Sequence, residues 1–156
     1  MGTLMASLHL TVLITSLLPD EEGKTEIALG LVEGLRSRGV SVGYYKPFSV
    51  FDYYRDYVAV EASMDEGVLV PPEILSLREL GLKVDDPCLV APVTALTAPL
   101  RPEVFIEARA PSSFFSYSTD FLRRLVAFRA ALYEPARTII TYFNGWSISR
   151  NVLRVD

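Results

Sequence analysis

The alternation of apolar and polar residues divides the start of the chain into a strand, a helix and a second strand. Residues 10–15 are rich in β-branched side chains and apolar on both faces, which is typical of a central parallel strand buried between helices. From Lys24 onward apolar residues recur at helical spacing, and Gly39 is expected to end this helix. Residues 40–45 predict the second strand, which should stop at Lys46 because the following proline cannot continue a ladder. The pattern therefore predicts a βαβ unit.

The remainder of the chain is less regular but contains four further predicted elements. Residues 48–64 carry aromatic side chains at spacings that allow an amphipathic helix, with core packing favoured over base stacking as the role of those rings. Residues 71–80 predict a helix that begins with proline and ends at a glycine. Five prolines in residues 85–113 exclude a long helix there. A capped helix over 120–133 and a third buried strand over 138–143 complete the pattern.

These elements predict one three-layer α/β domain over residues 1–156. Its central sheet should be mostly parallel and flanked by helices, and the number of predicted strands leaves it incomplete at the C-terminal side. A parallel crossover places the loops after both strands at one edge of the sheet, where ligands bind in open α/β folds. Lys24 and Lys46 are therefore expected to share one crevice.

Composition narrows the classes of function. The net charge of −4 and the pI near 5.1 argue against a nucleic-acid binder, which normally carries clustered basic residues. The apolar stretch from Leu8 to Leu18 lacks a basic start and is shorter than the roughly 20 residues of a membrane span, so no membrane association is expected. The single cysteine, Cys88, allows no internal disulfide and indicates a cytoplasmic protein. The absence of glutamine is typical of proteins from hot environments.

Gly23-Lys24-Thr25 is the motif with the clearest chemistry. A glycine loop that opens onto a helix offers backbone N–H donors to a phosphate, the lysine reaches the outer phosphates, and the hydroxyl binds the accompanying Mg²⁺. The flanking acids Glu22 and Glu26 complete the predicted cofactor-binding segment. The alternative is a surface Gly-Lys pair at an ordinary helix start. The predicted strand before the motif and the helix after it favour phosphate binding.

The loop departs from the usual P-loop pattern in two ways. Leu18 occupies the place of the first glycine, although leucine does not easily adopt the positive φ values that glycine allows. Three acids, Asp20, Glu21 and Glu22, also place negative charge where a triphosphate would lie. Both features leave open a nucleotide-binding module that does not hydrolyse its ligand.

The run from Leu13 to Pro47, with Glu22-Gly-Lys-Thr25 and a second strand ending in Lys46-Pro47, resembles the dethiobiotin synthetase and cobyric-acid-synthase-like ATPases. The resemblance is specific over about the first fifty residues. It is fainter over residues 86–99, which are similar to the Pro-rich substrate loop of dethiobiotin synthetases, and over 120–143. It implies a three-layer P-loop NTPase-like fold and the use of ATP and Mg²⁺.

The resemblance also implies roles for individual residues. Gly23, Lys24 and Thr25 would hold the phosphates, with Thr25 on Mg²⁺. Lys46 would face a small anionic substrate or the γ-phosphate, so that Lys24 and Lys46 are the expected catalytic pair. Asp52 would join the metal shell. The alternative for Asp52 is an ordinary solvated acid, which is the commoner role of an exposed aspartate.

One position argues against turnover. Members of this family place a carboxylate after the third buried strand to complete the magnesium shell, whereas this chain has Asn144-Gly145 there. An uncharged amide should impair phosphoryl transfer, which depends on metal and electrostatic stabilisation. Three functions remain open: an ATP-dependent enzyme, a non-catalytic nucleotide-binding or regulatory module, and an interaction protein. In the last, a partner or a second copy in a homodimer would cover the open sheet edge.

Overall fold

The computed structural model describes residues 10–15, 23–134 and 136–145. The chain divides into two compact units, Met1–Val42 and Gly43–Asp156. All four described strands belong to the second unit. Residues 10–15 lie outside every strand, so the prediction of a strand there is wrong. A strand requires a neighbour that pairs with its N–H and C=O groups, and sequence pattern alone does not supply one.

The first unit contains helix α1 (Lys24–Arg36), as predicted. It ends at Gly39, which has a φ of 77°. The Gly39 N–H donates to the Arg36 carbonyl (2.8 Å) and the Val40 N–H to the Leu35 carbonyl (3.1 Å), the pairing of a Schellman motif. The glycine thus ends the helix because it alone adopts the left-handed conformation without strain.

The second unit is an α/β structure built on a mixed four-stranded sheet. The strands are β1 (Phe48–Asp52), β2 (Val93–Thr97), β3 (Leu125–Leu132) and β4 (Thr138–Phe143), and they lie in the order β1-β2-β3-β4. Only β1 and β2 are parallel, since β3 is antiparallel to both of its neighbours. The described helices are α2 (Tyr57–Glu66), α3 (Pro72–Glu79), α4 (Pro87–Val90), α5 (Pro102–Glu107), α6 (Pro111–Ser118) and α7 (Phe121–Arg124).

The predicted second strand is displaced along the chain. Residues 40–45 are not in a strand, and β1 begins at Phe48, within the segment predicted to be helical. The Lys46 N–H donates to the Val90 carbonyl (2.8 Å), and the Pro47 carbonyl accepts from the Val93 N–H (3.2 Å), so the chain joins the sheet here. Lys46 consequently lies at the amino end of β1, not at the carboxyl end of a strand as predicted.

The helix predicted over residues 120–133 is also wrong. Asp120 caps a single helical turn, α7, by accepting the Leu122 N–H at 3.0 Å, and the chain then becomes strand β3. An apolar run such as Leu125–Leu132 suits a buried strand as well as a helix. Pairing with β2 on one side and β4 on the other satisfies its backbone groups in the extended form.

Two other predictions are confirmed in outline. Helix α3 matches the prediction over 71–80, with Gly81 in the left-handed region at its end (φ 75°). Strand β4 matches the prediction over 138–143, but all six of its residues are exposed. It forms one edge of the described sheet and is not the buried strand that its apolar composition predicted.

The core of the second unit covers one face of the sheet. Phe51, Leu96 and Ala127 are register neighbours on β1, β2 and β3, and they pack with Ala59 and Val60 of α2. A second row on the same face consists of Ser49, Thr94 and Arg129, two residues nearer the amino ends of β1 and β2. None of the described helices has the length and apolar character that a membrane span requires.

Candidate functional site

The end of the predicted phosphate loop forms the start of α1. Gly23 is the N-cap residue, with a φ of 106°, and its carbonyl accepts the Ile27 N–H at 3.0 Å. Lys24 and Thr25 occupy the first turn and are half-buried, whereas Glu26 is exposed. Glu22 and Leu18 lie outside the described residues.

This helix start has the features of an anion site. A residue other than glycine would be strained at the φ of Gly23. Because glycine has no side chain, the N-cap supplies no acceptor for the N–H groups of the first turn. Those groups and the helix dipole both favour negative charge at this end of α1.

Lys46 belongs to a buried polar cluster at the amino end of β1. Its Nζ lies 3.0 Å from Oε1 of Glu73, a first-turn residue of α3 that is only 4% exposed. The Ser49 hydroxyl, which is fully buried, donates to the same oxygen at 2.5 Å. Lys46 itself is 31% exposed, so its ammonium group both neutralises Glu73 and remains accessible from solvent.

Tyr44 completes this cluster. Burial, and secondarily the negative charge of Glu73, raises the pKa of Tyr44 to about 12. A phenol with such a pKa stays protonated, because a phenolate would be both desolvated and repelled by the carboxylate. Glu73 therefore interacts electrostatically with both Lys46 and the neutral phenol of Tyr44.

Asp52 is the last residue of β1, and its carboxylate is already engaged. Its Oδ1 accepts the N–H groups of Tyr54 (3.0 Å) and Arg55 (3.2 Å), and its Oδ2 lies 3.7 Å from Nη2 of Arg124. This is an Asx-type turn, in which the side chain fixes the loop after the strand. Asp52 and Lys46 stand at opposite ends of β1, separated by about 20 Å of extended chain. The structure does not bring these two predicted site residues together.

Asn144 also has structural partners. Its backbone N–H donates to the Val126 carbonyl at 2.8 Å, and its side-chain amide donates to the Leu122 carbonyl at 3.2 Å. The residue thus ties the end of β4 to α7 and to the start of β3. Within the described ranges, no group of three or more His, Cys, Asp or Glu side chains is arranged to hold a metal ion.

Sequence reasoning missed two buried charged residues, Glu73 and Arg129. Glu73 follows Pro71-Pro72, and an acid in the first turn of a helix is ordinarily solvated, so the sequence carried no sign of its burial. Arg129 interrupts the apolar run Leu125–Leu132 at a core-facing position of β3. A charge inside a buried strand was the signal that could have identified it.

Cys88 is the chain's one cysteine and is fully buried. Burial raises the pKa of the Cys88 thiol, and this outweighs the opposing effect of the nearby Arg129 guanidinium. A protonated, enclosed thiol is a poor nucleophile.

The described architecture defines an α/β protein with a mixed sheet. Comparison of the chain with protein-family models, curated proteins and solved structures gave no match. Its function must therefore be inferred from the helix start at Gly23 and from the charged clusters of the second unit.

Proposed function

We propose that this chain binds Mg·ATP through Gly23, Lys24 and Thr25 and acts as an ATPase or an ATP-dependent, ligase-like enzyme on a small anionic substrate. The observation that carries the proposal is Gly23 at a φ of 106°, leading directly into the 13-residue helix α1. A tight glycine turn onto a helix, followed at once by lysine and threonine, supplies the donors, the cation and the metal-binding hydroxyl that a nucleotide requires.

The proposal extends to the fold and to the substrate. The implied architecture is the three-layer, mostly parallel P-loop arrangement, and the parallel β1–β2 pair is consistent with part of it. Lys46 is the candidate contact for an anionic substrate, because its ammonium group is accessible while Glu73 holds it in place. Thr25 is the candidate magnesium ligand, whereas Asp52 belongs to the turn after β1 and is held there by Tyr54, Arg55 and Arg124.

A second candidate is a regulatory module that binds nucleotide without hydrolysing it. The arrangement of Asp52 favours this alternative, since backbone N–H groups and an arginine already occupy both carboxylate oxygens. Asn144 brings no charge to the position after β4. Phosphoryl transfer without a well-held metal loses most of its transition-state stabilisation.

The decisive experiment measures binding and turnover separately. The chain has three lysines, Lys24, Lys46 and Lys83, which provide matched variants. In calorimetric titration with Mg·ATP, Lys24→Ala should weaken binding by between about tenfold and a hundredfold, the range for loss of a charge-assisted hydrogen bond. Lys83→Ala removes the same charge from an exposed position and should bind as the wild type does.

Phosphate release at elevated temperature then distinguishes the two candidates. Turnover that Lys46→Ala reduces while nucleotide affinity is retained would support the enzyme. Saturable binding without phosphate release would support the regulatory module. Equal affinity of the wild type and Lys24→Ala, or no binding by the wild type, would contradict both.

The proposal also includes a second copy of the chain or another partner at the open edge of β4. The edge strand has six exposed residues, none of them charged. Unpaired strand edges of this kind pair readily with other strands.

A further inference from the structure

Arg129 is a buried charge whose orientation is fixed by one of its three nitrogens. The side chain is 0% exposed and projects from β3 onto the helix-covered face of the sheet. Its Nη2 donates to the Ala91 carbonyl at 2.7 Å and to the Thr94 hydroxyl oxygen at 2.5 Å. The Thr94 hydroxyl in turn donates to the Ala91 carbonyl at 3.2 Å, so the three groups form a closed triangle.

The other two nitrogens have no acceptor. Nε and Nη1 of Arg129 are buried and make no hydrogen bond with any described residue. Buried N–H groups are almost always paired, and an arginine stays charged even when buried, so both the donors and the charge require compensation.

Two acids of the second unit already have other partners. Glu73 accepts from Ser49 on β1, two strands from β3, and it pairs with Lys46. Asp86 accepts from Tyr133 (3.2 Å) and Arg137 (3.3 Å). Cys88 is kept as a neutral thiol by burial, which raises its pKa.

Lys46 and Arg137 each lie within salt-bridge distance of a carboxylate, Glu73 and Asp86 respectively. Among the described residues, no carboxylate lies within that distance of the fully buried Arg129. A water molecule could accept from Nε or Nη1 but would leave that charge uncompensated.

We infer that Nε and Nη1 of Arg129 bind a small inorganic anion, enclosed between β3 and the segment that joins α4 to β2. The anion accepts from the two free nitrogens while Ala91 and Thr94 hold the third. Its size is limited, because Cys88, Ala91 and Thr94 around the guanidinium are themselves fully buried. A halide and a tetrahedral oxyanion both satisfy this chemistry. It shares no residue with the nucleotide site proposed at Gly23.

The test is thermal unfolding of the full chain at constant ionic strength, with gluconate replaced stepwise by chloride, phosphate or sulfate. A ligand that binds only the folded state, at a hundred times its dissociation constant, raises the folded-to-unfolded ratio about 100-fold. The wild type should show a saturable rise in Tm with one of these anions. The anion that is effective at the lowest concentration identifies the ligand as a halide or an oxyanion.

Arg129→Met removes the charge while keeping a long apolar side chain, and it should abolish the saturable rise. Arg55→Met is the matched control, because it deletes an arginine that is 71% exposed and should keep the wild-type response. Equal responses in Arg129→Met and the wild type, or no anion-specific rise in the wild type, would overturn the inference.

A direct measurement covers the case in which Arg129→Met does not fold. Wild-type crystals grown with bromide and, separately, with selenate should show an anomalous peak beside Nε and Nη1 of Arg129 in one of the two. Density for water alone at this position in both crystals would overturn the inference.

Discussion

Tyr44 and Lys46 share a buried counter-charge, Glu73, and the two side chains respond to it in opposite ways. The ammonium group of Lys46 is drawn to the carboxylate at 3.0 Å. The phenol of Tyr44 is held neutral by burial and by the same carboxylate, which together raise its pKa to about 12. A single buried acid thus forms an ion pair with one neighbour and, together with burial, keeps the other neighbour uncharged.

Tyr44→Phe should weaken the dependence of stability on alkaline pH. The folded-state pKa of about 12 lies above the ordinary value of 10.0, so the unfolded chain loses this proton first. The contribution of Tyr44 to stability is therefore complete below pH 10 and is lost as the pH rises toward 12. Urea unfolding at pH 9 and pH 11 should give a smaller fall in the free energy of unfolding for Tyr44→Phe than for the wild type. Tyr45→Phe, which alters an exposed neighbouring ring, is the control, and an identical fall in all three proteins would refute the prediction.

Among the structural elements, helix α5 is followed by a residue with a strained backbone conformation. Arg109 has a φ of 54° and is the one described non-glycine residue with a positive φ. Its N–H donates to the Ile106 carbonyl (3.0 Å) and the Ala110 N–H to the Phe105 carbonyl (2.9 Å), the same pairing that Gly39 completes after α1. An arginine therefore stands where glycine is usual.

Arg109→Gly should stabilise the protein. The left-handed conformation costs a non-glycine residue about 1–2 kcal/mol, and the greater unfolded-state freedom of glycine offsets about 0.5–1 kcal/mol of that gain. A net increase of up to about 1 kcal/mol in the free energy of unfolding is expected from denaturant titration. Arg109→Ala also removes the charged side chain but keeps the Cβ atom, so it should give no such increase. Equal effects of the two substitutions would show that backbone strain is not the cause.

Sequence patterns predicted helices better than strands, for a physical reason. The limits of α1 and α3 depend on local signals, namely Gly23, Gly39, Pro72 and Gly81, whose backbone preferences act within one turn. Strands depend on partners that are distant in sequence. Residues 125–132 form β3 because β2 and β4 flank them, although the same apolar run was compatible with a helix.

At the scale of the sheet, β4 has a neighbour on one side only among the described strands, so the other side is a candidate site for another strand. Its residues Thr138–Phe143 are all exposed and uncharged, and the paired side of β4 faces β3. If a second copy covers this edge, Ile140→Lys should disrupt the dimer, because edge lysines oppose strand addition. Light scattering after size exclusion should show the mass falling from that of a dimer to that of a monomer.

The control for this prediction is Val58→Lys on α2, which makes the same kind of substitution at a side chain that is 69% exposed. It should leave the mass unchanged. A monomeric wild type at high concentration, or a dimeric Ile140→Lys variant, would refute a homodimer formed through β4.

The sequence by itself determined the features that depend on short-range backbone preferences. These are the helix that starts after Gly23 with Lys24 and Thr25 in its first turn, the helix that starts at Pro72, and the extended segment 138–143. Only the tertiary structure decided which strands pair, and hence that Lys46 lies at the amino end of β1 and Asp52 at the other. It also decided that Glu73 and Arg129 are buried, because burial depends on which distant elements cover a residue. The Gly23-Lys24-Thr25 helix start could therefore be recognised in the sequence, whereas the charged clusters of the second unit depend on the assembly of the sheet.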